Sequence, residues 1–152
     1  MPRDTDPSKS SYREQDAPAP AVLVVGIHGN LVGIDRATGA ILWKNGLEEG
    51  GYGTVYIALS QGRVFASAGG KRVFAVDMRT GATLWSAETS GYGRATMLVE
   101  LDEIYVAKSG YLDCFDRYGN RRWTQKLEGL GTGPVALGVP GNVAQADDKG
   151  AK

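Results

Sequence analysis

Asp35-Arg-Ala-Thr-Gly39-Ala-Ile-Leu-Trp43 returns as Asp77-Met-Arg-Thr-Gly81-Ala-Thr-Leu-Trp85, and a worn copy follows as Asp116-Arg-Tyr-Gly119-Asn-Arg-Arg-Trp123. The aspartates are 42 and 39 residues apart, and the phrase takes up all three tryptophans of the chain. A second marker, Gly51-Tyr52-Gly53, recurs as Gly91-Tyr92-Gly93 and Gly131-Thr132-Gly133 at intervals of 40. A period this regular means one supersecondary unit copied in tandem.

The second copy shows the unit most plainly. β-rich runs are expected over residues 54–60, 63–67, 71–77 and 82–88, joined at Gln61-Gly62, Gly69-Gly70 and Thr80-Gly81. Tight glycine turns between four short strands make an antiparallel meander. Such a sheet cannot bury both faces alone, so copies must stack on one another. Four-stranded meanders at this period predict an all-β fold of β-propeller blades.

Within the phrase, the aspartate can accept hydrogen bonds from the backbone of the following turn, and Thr38 and Thr80 can reinforce it. Gly39 and Gly81 supply a positive-φ position. The tryptophan then falls in the outer strand, where its ring can cover the seam between blades. A motif shared by every repeat serves packing, so these residues are read as scaffold. Aligned third strands place Gly33, Ala75 and Cys114 in one slot that takes only small residues. Cys114 is therefore expected as a buried small hydrophobe rather than a nucleophile. Asp113 stands where its counterparts are Val32 and Phe74, so it needs a partner: Lys108, Arg121, Arg122 or solvent.

The repeats resemble the PQQ-like repeat, the blade of quinoprotein dehydrogenases and of BamB-like proteins, over roughly residues 21–147. The tryptophan phrase looks like that family's docking motif, and it speaks for fold rather than activity. The resemblance implies that enzymatic members hold pyrroloquinoline quinone with an adjacent cysteine pair, a calcium ion and a catalytic aspartate. Here Cys114 is the single cysteine. No such acidic cluster is visible in the sequence, so a non-catalytic member without cofactor or metal is expected.

Bulk properties narrow the class further. The 152 residues carry 17 basic and 17 acidic side chains, which marks neither a nucleic-acid nor a membrane-surface binder. No apolar run is long enough to cross a bilayer. Residues 1–20 hold three basic and four acidic residues and no apolar stretch, so a disordered tail is expected there, as at 148–152. Without the apolar core of a secretory signal, a cytoplasmic location is expected, or a periplasmic one if a signal has been removed.

Counting blades gives three strands at the N-terminal end, two complete blades, and an inner strand over 134–139 followed by a run over 143–146. Three blades are too few to close a ring. A homodimer, in which the C-terminal inner strand completes the first blade of another copy, would give six blades. The loops that enter the inner strands share a face with the turns between strands two and three. That face is expected to gather Tyr52, Tyr92, Thr132, His28, Lys71, Arg72, Arg94 and Lys108 at a channel mouth, with Glu48 and Glu49 nearby. Tyrosines edged by basic groups suit an acidic peptide, an anion or a sugar. Equally, Gly-Tyr-Gly can simply shape its turn. The favoured function is a binding or scaffolding propeller for a protein or peptide partner; the alternative is a small-ligand or carbohydrate module, and a quinoprotein remnant ranks third.

Overall fold

The computed structural model describes residues 21–48, 51 and 53–146. The expected tails at 1–20 and 148–152, and the candidates Tyr52 and Glu49, lie outside the described residues.

Strands follow the repeat. β1 (Val22–Ile27), β2 (Asn30–Asp35) and β3 (Ile41–Asn45) form a three-stranded antiparallel sheet. β4 (Tyr56–Ser60), β5 (Arg63–Ser67), β6 (Arg72–Asp77) and β7 (Thr83–Glu88) form a complete blade in sequential order. β8 (Thr96–Glu100), β9 (Glu103–Lys108), β10 (Tyr111–Asp116) and β11 (Arg121–Lys126) form another. β12 (Leu137–Val139) and β13 (Asn142–Ala144) make a two-stranded remnant packed against β8. The all-β propeller-blade architecture read from the sequence is therefore the architecture observed.

Strand ends differ from expectation at a few points, with physical causes. β4 starts at Tyr56 rather than Thr54, because Val55 leaves the ladder to plug the neighbouring blade: a Cβ on Gly26 would lie 2.9 Å from its side chain. β12 is only three residues long. Asn142, outside the expected runs over 134–139 and 143–146, is the first residue of β13, pairs with Val139, and donates its amide to Val99 O at 2.8 Å. That bond ties the remnant to β8.

The repeated phrase works as a docking device. Asp35, Asp77 and Asp116 accept turn N–H groups through Oδ1 at 2.9, 2.8 and 2.9 Å, from Ala37, Arg79 and Tyr118. Thr38 and Thr80 each accept the N–H two residues on, at 3.2 Å. Gly39, Gly81 and Gly119 close the turns with φ of 81°, 78° and 90°, a region that suits glycine. In every blade the pairing of the outer strand slips by one residue just beyond the tryptophan's partner, after Gly33, Ala75 and Cys114. This β-bulge aims the ring across the small-residue slot and out toward the next blade.

There the ring finds a seat. Trp43 lies on Gly81, where an added Cβ would meet it at 2.5 Å, and its Nε1 donates to Met78 O at 2.9 Å. Trp85 lies on Gly119, where a Cβ would meet it at 2.7 Å, and donates to Arg117 O at 2.7 Å. Around each ring a seam core closes. Val22, Val24 and Leu31 meet Val64, Ala66 and Val76 at the first seam. Phe65 and Val73 meet Ile104, Val106 and Phe115 at the second. Each such side chain, fully buried, contributes about 1.5–3 kcal/mol.

Candidate functional site on the channel face

The Gly-x-Gly loops are clips between adjacent blades. Gly93 N donates to Gly69 O of the preceding blade at 3.0 Å, and Gly29 N donates to Gly53 O at 2.9 Å. On the other flank, a Cβ on Gly91 would lie 2.1 Å from Lys108 O within its own blade. Close backbone approach thus explains Gly91, while Gly93 has open space around a Cβ and is explained by its φ of 88°, and the residue between these two is free to project. Tyr92 does so, with 64% of its surface exposed.

Three of the sequence candidates converge. Tyr92 and Arg94 on one clip and Thr132 on the next line a cleft of about 470 Å³, with Thr96, Ser109 and Pro134 completing its walls. Arg94 and Thr132 are exposed. The cleft is therefore lined by a phenol, a guanidinium and three aliphatic hydroxyls, a set suited to carboxylates and peptide groups.

The remaining candidates stand apart from it. His28 sits exposed at φ 48° in the β1–β2 turn, at the far end of the array, with its carbonyl accepting from Asn30. Lys71 is exposed, while its carbonyl takes the Thr89 N–H at 2.7 Å. Arg72 points along its own sheet to Ser86 Oγ at 2.9 Å. Lys108 is buried, 2% exposed, and its Nζ donates to Gly70 O of the preceding blade at 2.8 Å. Burial holds its ammonium down to about 8, against the opposing pull of Asp113. It is a strut between two channel-face turns. Its ladder position corresponds to Ile27 and Ala68, an apolar slot that the sequence already displayed.

Asp113 proves to be the hub of a buried network. Only 1% exposed, it accepts Ser90 N and Ser90 Oγ, both at 2.7 Å, and Thr124 Oγ1 at 2.6 Å, with Arg121 Nε at 3.6 Å. Of the three cations considered, Arg121 is the ion-pair partner. Ser90 escaped notice because it belongs to the loop entering the blade, remote in sequence from β10. Cys114 is buried as expected, and burial pushes its thiol upward, away from reactivity.

The family described as outer membrane protein assembly factor BamB matches residues 16–138. The chain belongs to the BamB family. Its fold is similar to BamB from Moraxella catarrhalis (TM-score 0.61, 23% identity), with 83% of this chain covering 40% of that one. It is also similar to a europium-containing methanol dehydrogenase (TM-score 0.51, 18% identity, 68% of this chain on 23% of that one). Quinohemoprotein alcohol dehydrogenase from Comamonas testosteroni superposes at a TM-score of 0.55 with 20% identity, 69% of this chain covering 19% of it. No curated protein matches. This BamB-family chain thus spans less than half the length of the structures it resembles, and at these identities the likeness is one of fold.

Proposed function

We propose that this chain is a non-catalytic binding and scaffolding propeller, assembled as a homo-oligomeric ring, that holds an acidic peptide segment of a protein partner on its channel face. The observation that carries this reading is the cleft beneath Tyr92 and Arg94, where an exposed aromatic and a cation sit on rigid glycine clips. Rigid aromatic and arginine anchors are what peptide recognition uses. The family's description as an assembly factor supports a role through protein contacts.

The donor set also argues for binding over quinone chemistry. The one cysteine lies buried in the small-residue slot of β10, and the deepest carboxylate, Asp113, is saturated by serine, threonine and arginine. These residues do not fit a quinone–calcium centre.

The test is fluorescence anisotropy with labelled acidic and basic peptides of equal length. Acidic peptides should bind, and Arg94→Ala and Tyr92→Ala should each weaken them about tenfold, the effect of losing one anchor of roughly 1.4 kcal/mol. Equal binding of basic and acidic peptides, or indifference to both substitutions, would remove this reading.

A further inference from the structure

Three departures from the repeat fall on the blade of β8–β11, each placing a charge where the other copies have none. Arg94 stands where the other clips continue with Thr54 and Pro134. Lys108 has the ladder position of Ile27 and Ala68, and Asp113 that of Val32 and Phe74. Residues common to every copy serve packing, whereas breaks of a local rule concentrated in one copy mark a place where something other than packing is being served. Two of these charges, Lys108 and Asp113, are buried. An apolar side chain fills the Lys108 slot at lower cost, as the fully buried Ala68 does one blade earlier.

Both buried charges brace one loop, the clip that presents Tyr92. Asp113 holds Ser90 just ahead of it through Ser90 N and Oγ, and Thr89 Oγ1 donates to Gly91 O at 2.7 Å. Lys108 acts from the other side. A side chain on Gly91 would strike the Lys108 carbonyl and Cβ, so the clip lies directly on this residue's backbone. Its Nζ holds Gly70 O, and the adjoining Gly69 O accepts Gly93 N at 3.0 Å. Lys108, Gly70, Gly69, Gly93 and Gly91 thus close a circuit of contacts around Tyr92. The chain neighbours of Lys108, Ala107 and Ser109, are themselves walls of the cleft.

Resting on the acidic-peptide reading above and adding what controls it, we infer that Lys108 is the positioning residue of that cleft: its ammonium holds the Tyr92–Arg94 clip in the conformation that receives an acidic peptide. When the ammonium loses its proton, the bond to Gly70 O is no longer charge-assisted and the cation beside the cleft disappears. Affinity for an acidic peptide therefore falls as pH rises through the titration of Lys108, which burial brings down to about 8. The other charged and titratable groups around it are Asp113 on β10, which pulls its proton affinity up, Tyr111 opposite it in the ladder, Lys71 beside the acceptor turn, and Tyr92 and Arg94 on the clip. Fold stability moves the other way, because the neutral amine is easier to bury. A side chain that merely held two blades together would give both slopes the same sign.

The test uses the full chain as parent, Lys108→Met and Lys108→Arg. Anisotropy of a labelled glutamate-rich peptide is followed from about pH 6.5 to about pH 9.5, a range in which the peptide's own carboxylates stay ionised. The α-carbon resonances of Tyr92 and Gly93 are followed over the same range without peptide. In the parent, affinity should fall about tenfold across the range, and both resonances should shift with a midpoint of about 8. Lys108→Met should bind weakly at every pH and show no midpoint. Lys108→Arg, whose guanidinium keeps its proton, should restore binding and hold it to the alkaline limit. Either variant decides should the other not fold, since methionine removes the midpoint and arginine moves it out of range. Peptide binding with the same pH profile in parent and variants, or a clip that does not titrate in the parent, would overturn the inference and leave the cleft reading standing. A clip that titrates with Lys108 in a chain that binds no acidic peptide at any pH would remove the cleft reading and keep Lys108 as the residue that sets the clip.

Discussion

The internal seams and the outer ends are built from the same phrase running from aspartate to tryptophan, yet they live in opposite environments. At an internal seam the tryptophan is clamped between two blades, hydrogen-bonded through its indole and pressed onto glycine. At the ends, ring and glycine are present but separated by the length of the array. The phrase therefore specifies a joint, not a position. What a given copy contributes depends on whether a neighbour stands opposite, and that is settled by topology rather than by the local sequence.

The contrast can be broken most severely at the first seam. Trp43→Ala should destabilise the fold by about 3–5 kcal/mol, as for a buried aromatic, whereas Trp123→Ala in dilute single chains should cost less than about 1.5 kcal/mol. Denaturant unfolding of both variants checks this, and equal losses would mean that Trp123 is docked too. The glycines give a sharper version. Gly81→Ala combines a 2.5 Å clash with a positive φ, about 3 kcal/mol together, while Gly39→Ala suffers the φ alone, about 1 kcal/mol.

A third comparison lies between apolar and polar solutions to the same slot. Asp113→Asn keeps the shape but loses the charge that Ser90, Thr124 and Arg121 surround, so urea midpoints should fall by the equivalent of about 2–3 kcal/mol. Phe74, in that slot one blade earlier, has no such dependence on neighbours.

The smallest effect is a pH signature. Lys108 has its proton affinity lowered in the fold, from 10.5 to about 8. Between those values the unfolded chain binds a proton that the native chain does not, so stability should rise as pH increases from 8 toward 10. Above 10 the trend reverses through Tyr105, which is held up to about 12, first by donating its hydroxyl to Glu103 and then by burial. Lys108→Met should abolish the rise and leave the reversal. A flat profile in the parent chain would show that water reaches the amine.

Much of this was legible in the residues. Blade number, turn chemistry and the small-residue slot follow from a period and from groups acting within five residues of one another, as Asp77 with Arg79 and Thr80. The fate of Lys108 was half legible, because alignment with Ile27 and Ala68 marks an inward position, but its charge read as solvent-seeking. Ser90 and Asp113 were not legible as a pair, since 23 residues and a strand exchange of direction separate them. On the channel face the tyrosine was found by its repeat, and the arginine by its place beside that marker. Which candidates share one cleft is a matter of blade rotation, and no local pattern encodes it.

The three-residue strand β13 has a kinetic meaning. Tethered to β12 through Pro140-Gly141, it competes with any incoming strand at the high effective concentration of a short loop. An edge that would otherwise seed indiscriminate strand pairing is kept covered by a weak, built-in placeholder. Only a strand that brings further contacts of its own could displace it.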